Sequence, residues 1–316
     1  MNKWKRIGLI AGGITATATI THIINKLIFS TSVVNRITDT EDRLYYKWKF
    51  GDISYSKQGN GKPVLLIHDL SPMSSTYEWS KIVKRLSKTR TVYTIDLLGC
   101  GYSDKPNITY TAYLYVQMIN DFISNVIGHR TDVIASGRSC SFVTMACYTN
   151  DSHFDKLIFV NPQDLNESAL IPTKRSNALR ILLNSPIIGT TIYNVCMSKR
   201  NIQKQFATDL FYNSSRSGNA IMNAFHENAH LYGSSAKFLY TSTQCRYTTA
   251  TIHHAISSID NSISIISGQY QKNYKNTVRN YEALNPAIES TVVANTKQLP
   301  QLENPVGFFK QLEIYL

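Results

Sequence analysis

Short, near-continuous apolar runs alternate along this chain with stretches of helical period, and no other feature narrows its fold as much. Val64 to Ile67, Thr91 to Ile95, Thr131 to Ser136 and Leu157 to Val160 read as strands. Between them Tyr77 to Leu86, Tyr110 to Ile127 and the stretch opening at Phe142 to Tyr148 carry apolar residues at helical spacing. Strands without a polar face must be covered on both sides, so the pattern predicts an α/β fold with a doubly wound, mostly parallel sheet. Tyr45 to Phe50 and Ile53 to Lys57, hinged at Gly51-Asp52, read as a leading hairpin.

From about Leu165 to Gly233 the alternation stops and helical text takes over, which predicts a lid. A strand returns at Ile263 to Ile266, then a helix at Asn273 to Leu284, a strand at Ser290 to Ala294 and a last helix from Pro305. The organisation expected is an N-terminal hydrophobic anchor helix over 1–29, a stalk over 30–44, the first part of the core over 45–164, a helical lid over 165–233 and the second part of the core over 234–316.

The N-terminal expectation rests on Ile7 to Ile24, an uncharged stretch behind Lys3, Lys5 and Arg6. As a helix it would be roughly 27 Å long, just short of a bilayer core. It reads as an uncleaved anchor, with a signal peptide cut near Ala16-Thr17-Ala18 and an interfacial helix as the other readings. An anchor places the protein at a membrane, with the main domain more readily outside the cytoplasm. The formal charge of +12 comes without a dense Lys/Arg run interleaved with aromatics, which argues against nucleic acid and for an anionic surface. Five cysteines without a CxxC argue against a disulfide framework or structural zinc, and nothing calls for a cofactor.

Gly137-Arg138-Ser139-Cys140-Ser141 follows the Thr131 to Ser136 strand and precedes a helix, the setting of a nucleophile elbow. Ser139 is the candidate nucleophile. A serine there needs a base, yet all eight histidines lie before residue 255. A rival motif, His226-Glu227-Asn228-Ala229-His230, matches H-E-x-x-H, the zinc-peptidase pattern, with His253 or His254 as distant third ligands.

Four blocks in order resemble the α/β-hydrolase superfamily, in its lid-bearing branch of esterases, lipases, epoxide hydrolases and haloperoxidases. They are Pro63-Val64-Leu65-Leu66-Ile67-His68, the run Asp96 to Pro106, the elbow at Ser139, and Leu299-Pro300-Gln301-Leu302-Glu303-Asn304-Pro305. The resemblance implies a serine hydrolase acting on esters or related carboxylic derivatives, with oxyanion donors at Leu70 and Cys140. It puts Gln298 where the catalytic histidine belongs and Asp164 at an alternative acid position. Asp69 stands where a glycine is usual, either disfavouring an oxyanion or capping the loop. Catalytic impairment follows, and two alternatives stay open beside it: a non-catalytic ligand- or partner-binding protein, and the zinc peptidase. The aromatic residues of the lid suggest a small acyl or lipid-like ligand.

Overall fold

The computed structural model describes residues 3–39 and 42–316. Its centre is an eight-stranded sheet of β1 (Leu44–Trp48), β2 (Gly51–Gln58), β3 (Lys62–Ile67), β4 (Arg90–Ile95), β5 (Thr131–Ser136), β6 (Phe154–Val160), β7 (Ile263–Gly268) and β8 (Glu289–Val293), in the order β1-β2-β4-β3-β5-β6-β7-β8. β1 and β2 form the antiparallel hairpin, β2 runs antiparallel to β4, and the other pairings are parallel. Side chains of a strand alternate between faces, and here both faces are apolar. Leu65 and Ile67 of β3, Val133 and Ala135 of β5, and Leu157 and Phe159 of β6 join one buried cluster; Val64, Leu66, Ile134, Ile158 and Val160 join the other. Each of these side chains except Ala135 contributes about 1.5–3 kcal/mol by leaving water, and that two-sided burial explains why the strands lack a polar alternation.

Between β6 and β7 the chain is helical and irregular, from Leu165–Ser168 to His253–Ser258. Tyr193, Phe206, Phe211 and Phe225 close the lid's own core, whereas Leu239, Ile252 and Ile256 turn back onto the sheet. Parallel strands present their C-terminal ends on one edge, where ligands of open α/β sheets gather. The loops after β3, β5, β6, β7 and β8 all meet there, beneath the lid.

The N-terminus departs from expectation. Lys3–Ser32 is a single helix running past the anticipated boundary at 29. Among the described residues no helix is long and apolar enough to cross a membrane, which overturns the expected anchor and the membrane-associated, extracytoplasmic placement built on it. Threonines dilute the stretch, and Thr19 and Thr21 turn their hydroxyls onto the carbonyls of Thr15 and Thr17 within the helix. Further along, the helix is a packing element of the lid. The buried Asn25 bonds Thr191 at 3.0 Å and Asn194 at 2.9 Å, and Phe29 stands against the rings of Tyr193 and His230. The segment read as a stalk is tied down too: the backbone N–H groups of Ile37 and Thr38 donate to the carboxylate of Glu227.

Candidate functional site

The turn from β5 into the following helix, Ser139–Thr149, needs one residue in left-handed backbone, and that residue is Gly137 at φ +56. Arg138 is already right-handed (φ −64) and Ser139 is the first residue of the helix. The apex of the elbow is therefore Gly137, in the pattern Ala135-Ser136-Gly137-Arg138-Ser139, small residues flanking the apex at two positions either side. This corrects the assignment of Ser139 as nucleophile. Its hydroxyl is buried, donates to the His68 carbonyl at 2.6 Å, and lines neither cavity at the strand ends. Gly137-x-Ser139-x-Ser141 reproduces the motif spacing two residues out of register with the bend. The helix was expected to open at Phe142; beginning it at Ser139 would have moved the apex to Gly137.

Cys140 moves with it. Its N–H faces the Gly137 carbonyl at 3.4 Å inside the helix, so it is no oxyanion donor. Its thiol, held at 3.3 Å from the Ala135 carbonyl, is pushed well above its ordinary pKa by burial. The N–H that follows the apex belongs to Arg138. It and the Leu70 N–H point at the same atom: Asp69 Oδ1 accepts both, each at 2.8 Å. The seat that two donors would offer a developing oxyanion is thus taken by a resident carboxylate. The same side chain fills the space above the apex, because a Cβ placed on Gly137 would lie 2.3 Å from Asp69 Cγ and Oδ1. With Asp69 in this position, no side chain fits at 137.

Buried polar groups hold Asp69 in place. His68 donates from Nδ1 to the Asp69 carbonyl at 2.7 Å and accepts the Leu97 N–H at Nε2, 3.1 Å away, which defines its neutral tautomer; burial lowers its pKa accordingly. Below the loop, Glu78 accepts the Asp69 N–H at 3.2 Å and the Gln301 amide at 2.7 Å. Burial, reinforced by the Asp69 charge, pushes its pKa up to about 8, so it is mainly protonated at neutral pH and does not add a second charge beside the first. Gln301, in the short helix Pro300–Glu303 ahead of the C-terminal helix, was not singled out as a site residue from the sequence; only the long-range fold brings it to Glu78.

Gln298, Asp164 and the elbow meet around one cavity of about 270 Å³, which Asn161 and Ser267 also line. Gln298 holds its loop by donating its N–H to the Leu210 carbonyl at 3.0 Å, and the Asn161 amide braces the same loop on the carbonyls of Lys297 and Gln298. Asp164 caps a short helix, accepting the Asn166 N–H at 2.8 Å, and has no imidazole to orient. A second cavity of about 700 Å³ opens under the lid and shares Asp69, Arg138, Gln271, Lys272 and Gln298 with the first. Neither is lined by a histidine.

The H-E-x-x-H residues serve packing. Glu227 accepts the Ile37 N–H at 2.9 Å, the Thr38 N–H at 3.0 Å and the Thr38 hydroxyl at 2.8 Å, so both of its oxygens are engaged in holding the N-terminal segment. His226 and His230 lie with ring centroids 4.4 Å apart, and burial together with His230 lowers the His226 pKa to about 4. His254 packs on Tyr148 of the elbow helix instead of joining them. No group of three His, Cys, Asp or Glu side chains among the described residues is placed to hold a metal ion. These residue types fit a lid core better than a zinc site.

A family model described as alpha/beta hydrolase fold matches residues 62–184. Among curated proteins, an uncharacterised protein of Mycobacterium tuberculosis is 30% identical over 103 residues, 33% of this chain and 30% of that one. The 2-hydroxy-6-oxo-6-(2'-aminophenyl)hexa-2,4-dienoic acid hydrolase of Metapseudomonas resinovorans is 34% identical over 70 residues, 22% of this chain and 24% of the relative. The chain thus matches less than a third of the length of these relatives. Solved structures cover far more of it. A bacterial membrane phospholipase A aligns over 99% of this chain and 98% of its own with a TM-score of 0.69 and 14% identity. A serine hydrolase involved in carbazole degradation aligns over 86% and 97% with a TM-score of 0.70 and 14% identity. At such identity the likeness speaks for the fold alone.

Proposed function

We propose that this chain, which has the α/β-hydrolase fold and matches its family model over residues 62–184, acts as a non-catalytic member of that superfamily that binds a small acyl or lipid-like ligand beneath its lid. One observation carries the reading: Asp69 Oδ1 sits on the Leu70 and Arg138 N–H groups, in the place where a reacting oxygen would have to be. Acyl transfer by the superfamily's route needs a hydroxyl at the apex, a base to take its proton and donors for the oxyanion. Here the apex is Gly137, the base position is Gln298, which cannot accept a proton at neutral pH, and the donors already serve a negative charge. Each loss alone costs a hydrolase orders of magnitude in rate, and all three coincide. The larger cavity supports the binding half of the reading, since its volume of about 700 Å³ lies in the range of small-molecule sites.

Labelling with a fluorophosphonate probe and turnover of short and long acyl esters test the reading. The expected result is no labelling and hydrolysis at the buffer rate. Stoichiometric labelling that disappears in Ser139→Ala would restore the serine-hydrolase reading and overturn this one.

A further inference from the structure

Resting on that ligand-binding reading, we propose that the occupant is an anionic amphiphile, its carboxylate head held by Arg138 with Lys272 and its apolar chain laid along Met73, Met197 and Tyr240. Arg138 lies on the wall common to both cavities. Its backbone N–H is committed to Asp69, but the residue is half-buried and its guanidinium has no hydrogen bond and no ion pair among the described residues. Lys272 likewise has no acidic partner there. A guanidinium brought into a cleft without a partner loses hydration and gains nothing unless an anion arrives, and its planar fork suits a carboxylate.

The surrounding charge agrees. The larger cavity is lined by Arg138, Lys204, Lys272 and Lys297 against only Asp69 and Asp209. Both acids are already occupied, Asp69 by two N–H groups and Asp209 by the Thr208 hydroxyl at 2.8 Å. Asp69 also decides where the head cannot go. The elbow donors are taken, and a second carboxylate there would meet the first, so an incoming anion is turned toward the guanidinium. The smaller cavity shares Arg138 and Lys272 but sets Asp69, Asp164 and Glu167 against them, so it offers an anion less than the larger one. The chain position follows from Met73 and Met197, both buried, with Tyr240 and Leu210 beside them on the wall of the larger cavity. Thioether side chains adapt to flexible aliphatic ligands at small cost.

The test measures binding of decanoate, decanol and decylammonium to the 316-residue chain by equilibrium dialysis, below the concentrations at which they aggregate. Decanoate is expected to bind about tenfold tighter than either of the others. Arg138→Gln should remove about that factor for decanoate and leave decanol within about twofold, and Lys272→Gln should cost about threefold. Since the Arg138 side chain holds no bond among the described residues, unchanged thermal unfolding of both variants is expected and is checked alongside. Equal binding of decanoate and decanol, tighter binding of decylammonium, or full affinity in Arg138→Gln overturns the head-group assignment and leaves the ligand-binding reading standing. Failure of all three probes to bind overturns both.

Discussion

Asp69 at the elbow and Glu227 in the lid do the same physical work in two regions that invite opposite readings. Each carboxylate gathers two backbone N–H groups: the neighbouring Leu70 and the distant Arg138 on one, the distant Ile37 and Thr38 on the other. Each also sits inside a sequence motif that suggests catalysis, an oxyanion loop in the first case and H-E-x-x-H in the second. The difference is in what lies next to them. Glu227 is enclosed by the lid and the N-terminal arm, so its bonds are a clamp. Asp69 lines both cavities, so the same kind of clamp also decides what the cavity can accept. A carboxylate in a motif is informative about chemistry only after the partners of its oxygens are known.

The sharpest way to break this comparison is Gly137→Ser. A left-handed backbone and a Cβ at 2.3 Å from Asp69 should together cost about 3–5 kcal/mol, read from urea unfolding. Asp69→Gly in the same chain should recover much of that loss; simple additivity of the two changes would mean that Asp69 does not occupy the apex. Gln298→His alone should leave ester hydrolysis at the buffer rate, because it supplies a base to a glycine.

Glu78 offers a pH test of the elbow side. In the unfolded chain it loses its proton near 4.5, whereas the folded protein keeps it to about 8. Between those values the unfolded state binds fewer protons, so this group's contribution is present in full below pH 4.5 and is lost as pH rises through 8. The loss is at most about 5 kcal/mol, and Glu78→Gln should flatten that part of the stability curve. An unchanged slope would remove Glu78 from the support of Asp69.

On the lid side, Glu227→Ala should cost about 2–3 kcal/mol and speed amide exchange at Ile37 and Thr38, since it strips three donors of their acceptor. Slow exchange at both amides in the variant would show that other contacts hold the arm. The smallest effect is expected for Ser139→Ala. Losing its bond to the His68 carbonyl should cost about 1 kcal/mol in unfolding free energy, with ligand affinity unchanged. A large loss of affinity would bring Ser139 back to the site.

Much of the fold could be read from local pattern. Val64 to Ile67 and Leu157 to Val160 are buried on both sides, and a strand in that position has no reason to carry polar residues. The elbow was legible to within two residues, because a strand followed by glycine followed by a helix is local information. Its register was not, since two overlapping small-residue patterns fit one stretch and only the backbone angle of Gly137 separates them. The arm was misread for a related reason. Asn25 and Phe29 look like ordinary members of an apolar helix until Thr191, Asn194, Tyr193 and His230 are brought to them.

By itself the amino-acid order settled which chemical groups exist: covered strands for a parallel sheet, no imidazole after residue 254, a carboxylate at 69 and a glycine at 137. Which group stands in front of which was decided by the tertiary structure. The bond from Arg138 to Asp69 spans 69 residues, and no local propensity encodes it. It exists because β3 and β5 are neighbours in the sheet and deliver their loops to one edge, so the same adjacency that would build an oxyanion site has closed it.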